Sequence, residues 1–150
     1  MQDIQLRKAS PKDAFLLSEL TWHSKKHWGY PDEWMESWRQ DLEITEEMLK
    51  NFDSLVIEVA GSIEGFVLIS EEAGVFEIEH CFVNPTAIGK GYGKKLLTQA
   101  LSASHYQGKP FKVVADPNAV PFYEKFGFKT THQIPSKPEG RFLPVMERHV

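Results

Sequence analysis

Between Val83 and Leu97 the chain passes from an apolar, β-prone segment through Gly89, Gly91 and Gly93 and straight into an amphipathic run. Few chain geometries accept that order. Glycines so placed let successive backbone N–H groups approach an anion closely, and the unpaired N–H groups and positive dipole end of the following helix face the same point. Lys90, Lys94 and Lys95 add mobile positive charge. The spacing rules out two common phosphate loops. A Walker loop needs Gly-x-x-x-x-Gly-Lys-Ser/Thr and a dinucleotide fingerprint needs Gly-x-Gly-x-x-Gly, whereas this run reads Gly-x-Gly-x-Gly.

The rest of the chain fits strands and helices around that loop. Ile4, Leu6 and Lys8 alternate as a first strand, and Ser10-Pro11-Lys12-Asp13 supplies an N-cap, a proline at the first helical position and a capping-box carboxylate. The helix that starts near Pro11 is predicted to reach Lys26, with Phe15, Leu16, Leu20 and Leu17 as its apolar positions. A second helix is predicted over Asp32–Leu42 and a short third from Thr45. Strands follow over Leu55–Val59, Ile63–Ser70 and Val75–Val83, then the helix Tyr92–His105. Lys112–Ala115 reads as a strand, Asp116 opens a helix that ends at Gly127, and Phe128–Ile134 and Phe142–Glu147 close the sheet. The predicted architecture is an α/β (α+β) sandwich of one mixed sheet with helices on both faces.

The length of 150 residues suits a single domain spanning 1–150, and the charged fraction of 25% is that of an ordinary globular chain. A net charge of −4 argues against a general nucleic-acid partner. The lone Cys81, an N-terminus without a signal-like apolar run and the absence of a membrane-length stretch point to a cytoplasmic protein with no membrane partner.

Val83-x-Pro85 followed by Gly91-x-Gly93 resembles the acetyl-coenzyme A loop of the GNAT superfamily of N-acetyltransferases, with Ile88 where that pattern carries Gln or Arg. Asn118 to Phe128, Asn-Ala-Val-Pro-Phe-Tyr-Glu-Lys-Phe-Gly-Phe, is similar to a second GNAT segment in shortened form. The resemblance implies the GNAT fold, with a central sheet of about seven strands, and acetyl-CoA as cosubstrate. It places cofactor contacts at Phe82, Val83, Ile88, Gly89, Lys90, Gly91, Tyr92, Gly93, Lys94, Asn118, Phe122, Tyr123 and Lys125. Tyr123 is the expected general acid, because a phenol of pKa about 10 within reach of the sulfur can protonate or stabilise a departing thiolate.

The incoming amine must lose a proton before it attacks. Strand periodicity puts Glu77 and Glu79 on one face, opposite Phe76, Ile78 and Phe82, so either carboxylate is a candidate base; His80 is a weaker one. Cys81 is not needed as a nucleophile for direct attack. Trp22, Trp28, Trp34 and Trp38 lie within seventeen residues around the first two helices, where the resemblance implies an acceptor wall; Trp28, Tyr30 and Trp34 are its expected lining. Arg141 and Lys137, in the loop before the last strand, are candidates for an acceptor carboxylate. His23 and His27 lack a third ligand, so no metal is expected. The expected partner is a small-molecule amine, and the family resemblance is compatible with a homodimer. The competing reading is a non-catalytic acyl-CoA-binding or sensing module.

Overall fold

The computed structural model describes residues 3–149. Strands β1 (Ile4–Arg7), β2 (Asp53–Val59), β3 (Ser62–Glu72), β4 (Val75–Val83), β5 (Phe111–Val114), β6 (Lys129–Pro135) and β7 (Phe142–Arg148) alternate with helices α1 (Ala14–Lys26), α2 (Asp32–Ser37), α3 (Glu46–Asn51), α4 (Tyr92–Leu101) and α5 (Val120–Glu124). The strands form one sheet in the order β1-β2-β3-β4-β5-β7-β6. Every pairing is antiparallel except β4 with β5, which is parallel. This is the mixed, two-faced sheet expected from the sequence.

Both faces are covered, which is why β2 and β3 read as nearly continuous apolar runs. Ile57, Val67, Ile69, Phe76 and Ile78 pack under α4, whose Leu96 and Leu97 are fully buried. Each such leucine contributes about 1.5–3 kcal/mol by leaving water. Val56, Phe66 and Leu68 face the other way, against Leu17 and Leu20 of α1 and Leu49 of α3. The buried stripe of α1 is Leu17, Leu20, Thr21 and Ser24, so the predicted core positions Phe15 and Leu16 were assigned to the wrong face; they stand 71% and 55% exposed. At the start of that helix the Asp13 carboxylate accepts the Ser10 N–H at 2.8 Å and pairs with Arg7 at 2.9 Å. The carboxylate half of the expected capping box is formed.

Two features of β4 decide where the sheet opens. First, β4 carries a bulge: Ile69 pairs with Ile78 and Leu68 with His80, leaving Glu79 unopposed. The extra residue reverses the alternation, so Cys81 and Val83 pack on the α4 side with Phe76 and Ile78, while Phe82 packs with Phe66 on the α1 side. The expectation that Phe82 shares a face with Phe76 and Ile78 is therefore corrected. Second, β4 and β5 pair only from Phe76 to Ile78, opposite Phe111 to Val113. Beyond that point the two strands part.

The second helix is shorter than expected, ending at Ser37, and α4 stops at Leu101 before a 3₁₀ turn at Ser104–Tyr106. Trp38, past the end of α2, is buried with Met35 and Leu42 in a separate small core against Trp22, Tyr30 and Trp34.

Candidate active site

Where β4 and β5 part, a cleft of about 760 Å³ opens. Its floor is the free length of β4 from Glu79 to Val83 and the end of β5 from Val113 to Asp116. At one end lie the glycine loop and the first turn of α4; at the other lie Trp28, Trp38 and Arg141.

The loop is held open by its own stereochemistry. Asn84 accepts the Thr86 N–H at 3.2 Å to start a 3₁₀ turn over Pro85–Ala87, and Gly89 and Gly91 then take φ of 90° and 80°. An L side chain is strained in that region. Gly93, already helical, is required for a different reason: a Cβ there would lie 3.3 Å from the Phe122 ring and 3.5 Å from Val83. Ile88, Gly89, Gly91, Tyr92, Gly93 and Lys94 all line the cleft, as do Phe82, Val83, Asn118, Phe122, Tyr123 and Lys125. Lys90 is exposed and is not among the lining residues.

Tyr123 is brought to the cleft by α5, whose proline start and Gly127 end, at φ 90°, confine it to little more than a turn. The Tyr123 ring sets its edge against Phe122 and Phe128 at centroid distances of 5.2 and 5.8 Å, and the residue is only 5% exposed. Its hydroxyl shares a hydrogen bond with the Cys81 thiol. Burial, and then Cys81, hold the phenol well above its ordinary pKa, so it stays protonated. Burial also pushes the Cys81 thiol up to about 12, which makes it unsuitable as a nucleophile.

The three β4 base candidates separate. Glu79, at the bulge, lines the cleft, is exposed, and accepts a hydrogen bond from Ser70 Oγ at 2.7 Å. Glu77 lies outside the cleft lining, 3.6 Å from the Lys112 ammonium; burial and the neighbouring Glu79 raise its pKa. His80 also lines the cleft, tilted against Phe66 and Phe82 at 6.5 and 6.0 Å. Burial lowers its pKa to about 4, so the ring is neutral near pH 7.

The end of the cleft that carries Trp28, Trp38 and Arg141 is organised by a residue that the sequence reading used only to open a helix. Asp116 takes an ion pair from Lys25 and hydrogen bonds from the Tyr30 hydroxyl at 2.9 Å, the Asn118 N–H at 2.8 Å and Asn118 Nδ2 at 3.0 Å. Burial opposes ionisation of Asp116, but Lys25 and these donors outweigh it and hold the carboxyl below its ordinary range. Lys25 lies over the Tyr30 and Trp38 rings at 5.3 and 5.1 Å. Tyr30 and Trp34, expected to line the pocket, stand behind it and stack on each other at 5.9 Å; Trp28 and Trp38 form the lining instead. An aspartate before Pro-Asn reads simply as a turn cap, and a lysine in the last turn of α1 as a dipole partner. Only their meeting across 91 positions makes them a site.

The model of the acetyltransferase (GNAT) domain matches residues 19–147. The chain belongs to the GNAT acetyltransferase family. No sequence among the curated proteins matches this GNAT chain. Its fold is that of the PaiA N-acetyltransferase from Thermoplasma acidophilum in complex with coenzyme A, at 23% identity, TM-score 0.79 and 99% coverage of both chains. An acetyltransferase from Thermus thermophilus superposes with TM-score 0.68 at 18% identity, over 100% of each chain. N-acetylglutamate synthase from Neisseria gonorrhoeae, complexed with coenzyme A and N-acetyl-glutamate, matches 98% of this GNAT domain but 35% of its own chain, with TM-score 0.66 and 18% identity. Acetyl transfer is the chemistry of the family. The glycine loop, the first turn of α4 and the lysines at 94 and 125 suit the phosphates of coenzyme A. Among the described residues no helix is long and apolar enough to cross a membrane.

Proposed function

We propose that this chain moves the acetyl group of acetyl-CoA onto the primary amine of a small molecule by direct attack, without an acyl-enzyme. One observation carries the reading: a single cleft joins a phosphate-suited loop, a buried phenol held protonated, a strand carboxylate and a confined aromatic end. Acetyl-CoA supplies an activated acyl group on a thiol leaving group.

The chain's own residues do the rest. Backbone N–H groups at the start of α4, with Lys94 and Lys125, hold the phosphates. The free edge of β4 at Phe82 and Val83 runs along the cleft and offers backbone groups that no β5 strand takes up. Ser24 Oγ donates to the Val83 carbonyl at 2.6 Å and so fixes the strand end. Tyr123 donates its hydroxyl proton toward the departing sulfur; because the phenol stays neutral, that donor is present throughout the working pH range. Glu79, on the bulge and open to water, receives the proton of the incoming ammonium directly or through water. Glu77, tied to Lys112 outside the cleft, takes no part. We place the protein in the cytoplasm as a single domain.

The test is release of coenzyme A thiol from acetyl-CoA by purified protein across a panel of amines, with Tyr123→Phe alongside. Acceptor-dependent release that falls about 10²-fold in kcat in the variant is expected, the usual scale of one proton donor. Equal kcat in the two proteins would remove Tyr123 from the chemistry. Silence of the whole panel with coenzyme A binding intact would favour an acyl-CoA sensor.

A further inference from the structure

Arg141 is placed as few buried arginines are. Its side chain is 12% exposed, yet its five N–H donors have only long contacts: 3.3 Å from Nη2 to the Tyr30 hydroxyl and 3.5 Å from Nη1 to Ser136 Oγ. The Asp116 carboxylate is 3.9 Å away and is taken closely by Lys25. The guanidinium face instead lies 4.6 Å from the Trp38 ring centroid and 5.1 Å from that of Tyr30, and the side chain borders the cleft. These ring contacts hold the guanidinium in place without satisfying its donors.

The ion pair of Arg141 with Asp116 is long, at 3.9 Å, and the close pairs around it are taken by other cations. Lys25 pairs with Asp116, and Lys137 pairs with Asp41 at 3.3 Å and donates to the Ser37 carbonyl at 3.2 Å. Glu79, the remaining carboxylate on the cleft wall, is bonded to Ser70. Two close pairs thus flank a guanidinium whose own ion pair, to a carboxylate shared with Lys25, is long, at the aromatic end of a mainly apolar cleft. A planar anion is what such a fork binds, in a bidentate manner.

Resting on the acetyl-transfer reading, we infer that the acceptor is an amine that also carries a carboxylate, held on Arg141, with an apolar body against the exposed Trp28. The same arrangement selects against polycationic amines. Lys25 and Arg141 already lie over the Trp38 ring, and another cation at this end of the cleft meets like charge. The structure separates Arg141 from Lys137, the other basic residue of this loop, which is exposed and neutralised by Asp41.

Binding is read first, by tryptophan fluorescence on protein saturated with coenzyme A, so that the lysines of the phosphate end are unavailable. Phenylacetate is expected to perturb the emission and its neutral isostere phenylacetamide to bind at least about tenfold more weakly, the scale of a charge-assisted pair in a shielded site. Arg141→Gln should remove that difference, and Arg141→Lys should restore part of it by returning charge without the fork. Coenzyme A affinity measured beforehand reports that each variant is folded. Turnover is read second, with L-phenylalanine against phenethylamine; the acid is expected to have the higher kcat/KM in the wild-type protein and to lose the advantage in Arg141→Gln. Equal binding of acid and amide, no binding of either, or an acid preference that survives Arg141→Gln overturns the inference. Acid-selective binding that depends on Arg141, with no thiol release from any amine, keeps the subsite and sinks the acetyl-transfer reading instead.

Discussion

Replacing Asp116 with Asn tests whether the hub holds the acceptor end together. The amide is nearly isosteric and can still meet Tyr30 and Asn118, so the substitution removes mainly the charge. Lys25 is then left with its side chain 12% exposed and no close counterion, beside Arg141. Stripping one partner from a buried ion pair costs about 3–5 kcal/mol. Because this pair borders a solvent-filled cleft, the low end applies, about 3 kcal/mol. At about 3 °C per kcal/mol for a chain of this size, the expected fall in Tm is about 9 °C. The loss has a pH signature. Burial already lowers the Lys25 pKa, and losing Asp116 lowers it further, so the folded variant binds fewer protons than the unfolded chain up to pH about 10.4. Its stability must therefore rise with pH through that window, and urea denaturation at pH 7 and pH 9.5 should find the deficit smaller at the higher pH. Lys25→Met added to Asp116→Asn should recover most of the loss, since an apolar replacement of the pair leaves no charge to bury. A cost below about 1 kcal/mol for Asp116→Asn, or simple addition of the two single losses, would refute the hub.

Three other substitutions bear on the site. His80, neutral when folded with a pKa near 4 against about 6.5 when unfolded, binds a proton only in the unfolded chain between those values. Stability is accordingly lost as pH falls through that window, by about 2.5 kcal/mol at pH 4.5, and His80→Gln should flatten that part of the profile; parallel wild-type and variant curves would contradict it. Gly91→Ala keeps the surroundings clear but strains a residue at φ 80°, so about 1 kcal/mol of stability and a weaker hold on coenzyme A are expected from calorimetry. Gly93→Ala instead pushes on Phe122 and Val83, with a similar cost of about 1 kcal/mol; loss of coenzyme A affinity without loss of stability would show that the loop, not this packing, is what it disturbs.

The glycine-loop end of the candidate site was legible because it is local. Gly89, Gly91 and Gly93 act through backbone geometry and a helix terminus within a few residues of one another, and Tyr123 sits in a segment whose proline and glycine bound it on both sides. The aromatic end of the cleft was legible only as composition. Four tryptophans within seventeen residues announce an aromatic cluster, yet whether Trp38 reaches the cleft depends on where α2 ends, and it ends at Ser37 rather than Leu42. Trp38, at the C-cap, turns in to meet Arg141 and donates its Nε1–H to the Lys137 carbonyl at 3.1 Å. Lys25 and Asp116 carry no pattern of their own, since each looks like ordinary helix-end chemistry until the fold joins them.

The bulge at Glu79 accounts for both the largest misreading and the working geometry. In a sheet covered on both faces, strand residues are apolar on either side, so period-two alternation cannot report a one-residue slip. Phe76, Ile78 and Phe82 look like a single face, and the slip that parts Phe82 from the others is invisible. Its mechanical effect is to bend β4 just where pairing with β5 stops. One extra residue thereby opens the cleft, sets Glu79 at its wall beside Ser70, turns His80 to the α1 side and delivers Cys81 to Tyr123. Removing it would close those options together: deletion of Glu79 should restore regular alternation, drive Cys81 and Val83 to the opposite face and abolish coenzyme A binding while leaving a folded sheet. Retained coenzyme A affinity in that deletion would mean that the divergence of β4 and β5 does not depend on the bulge.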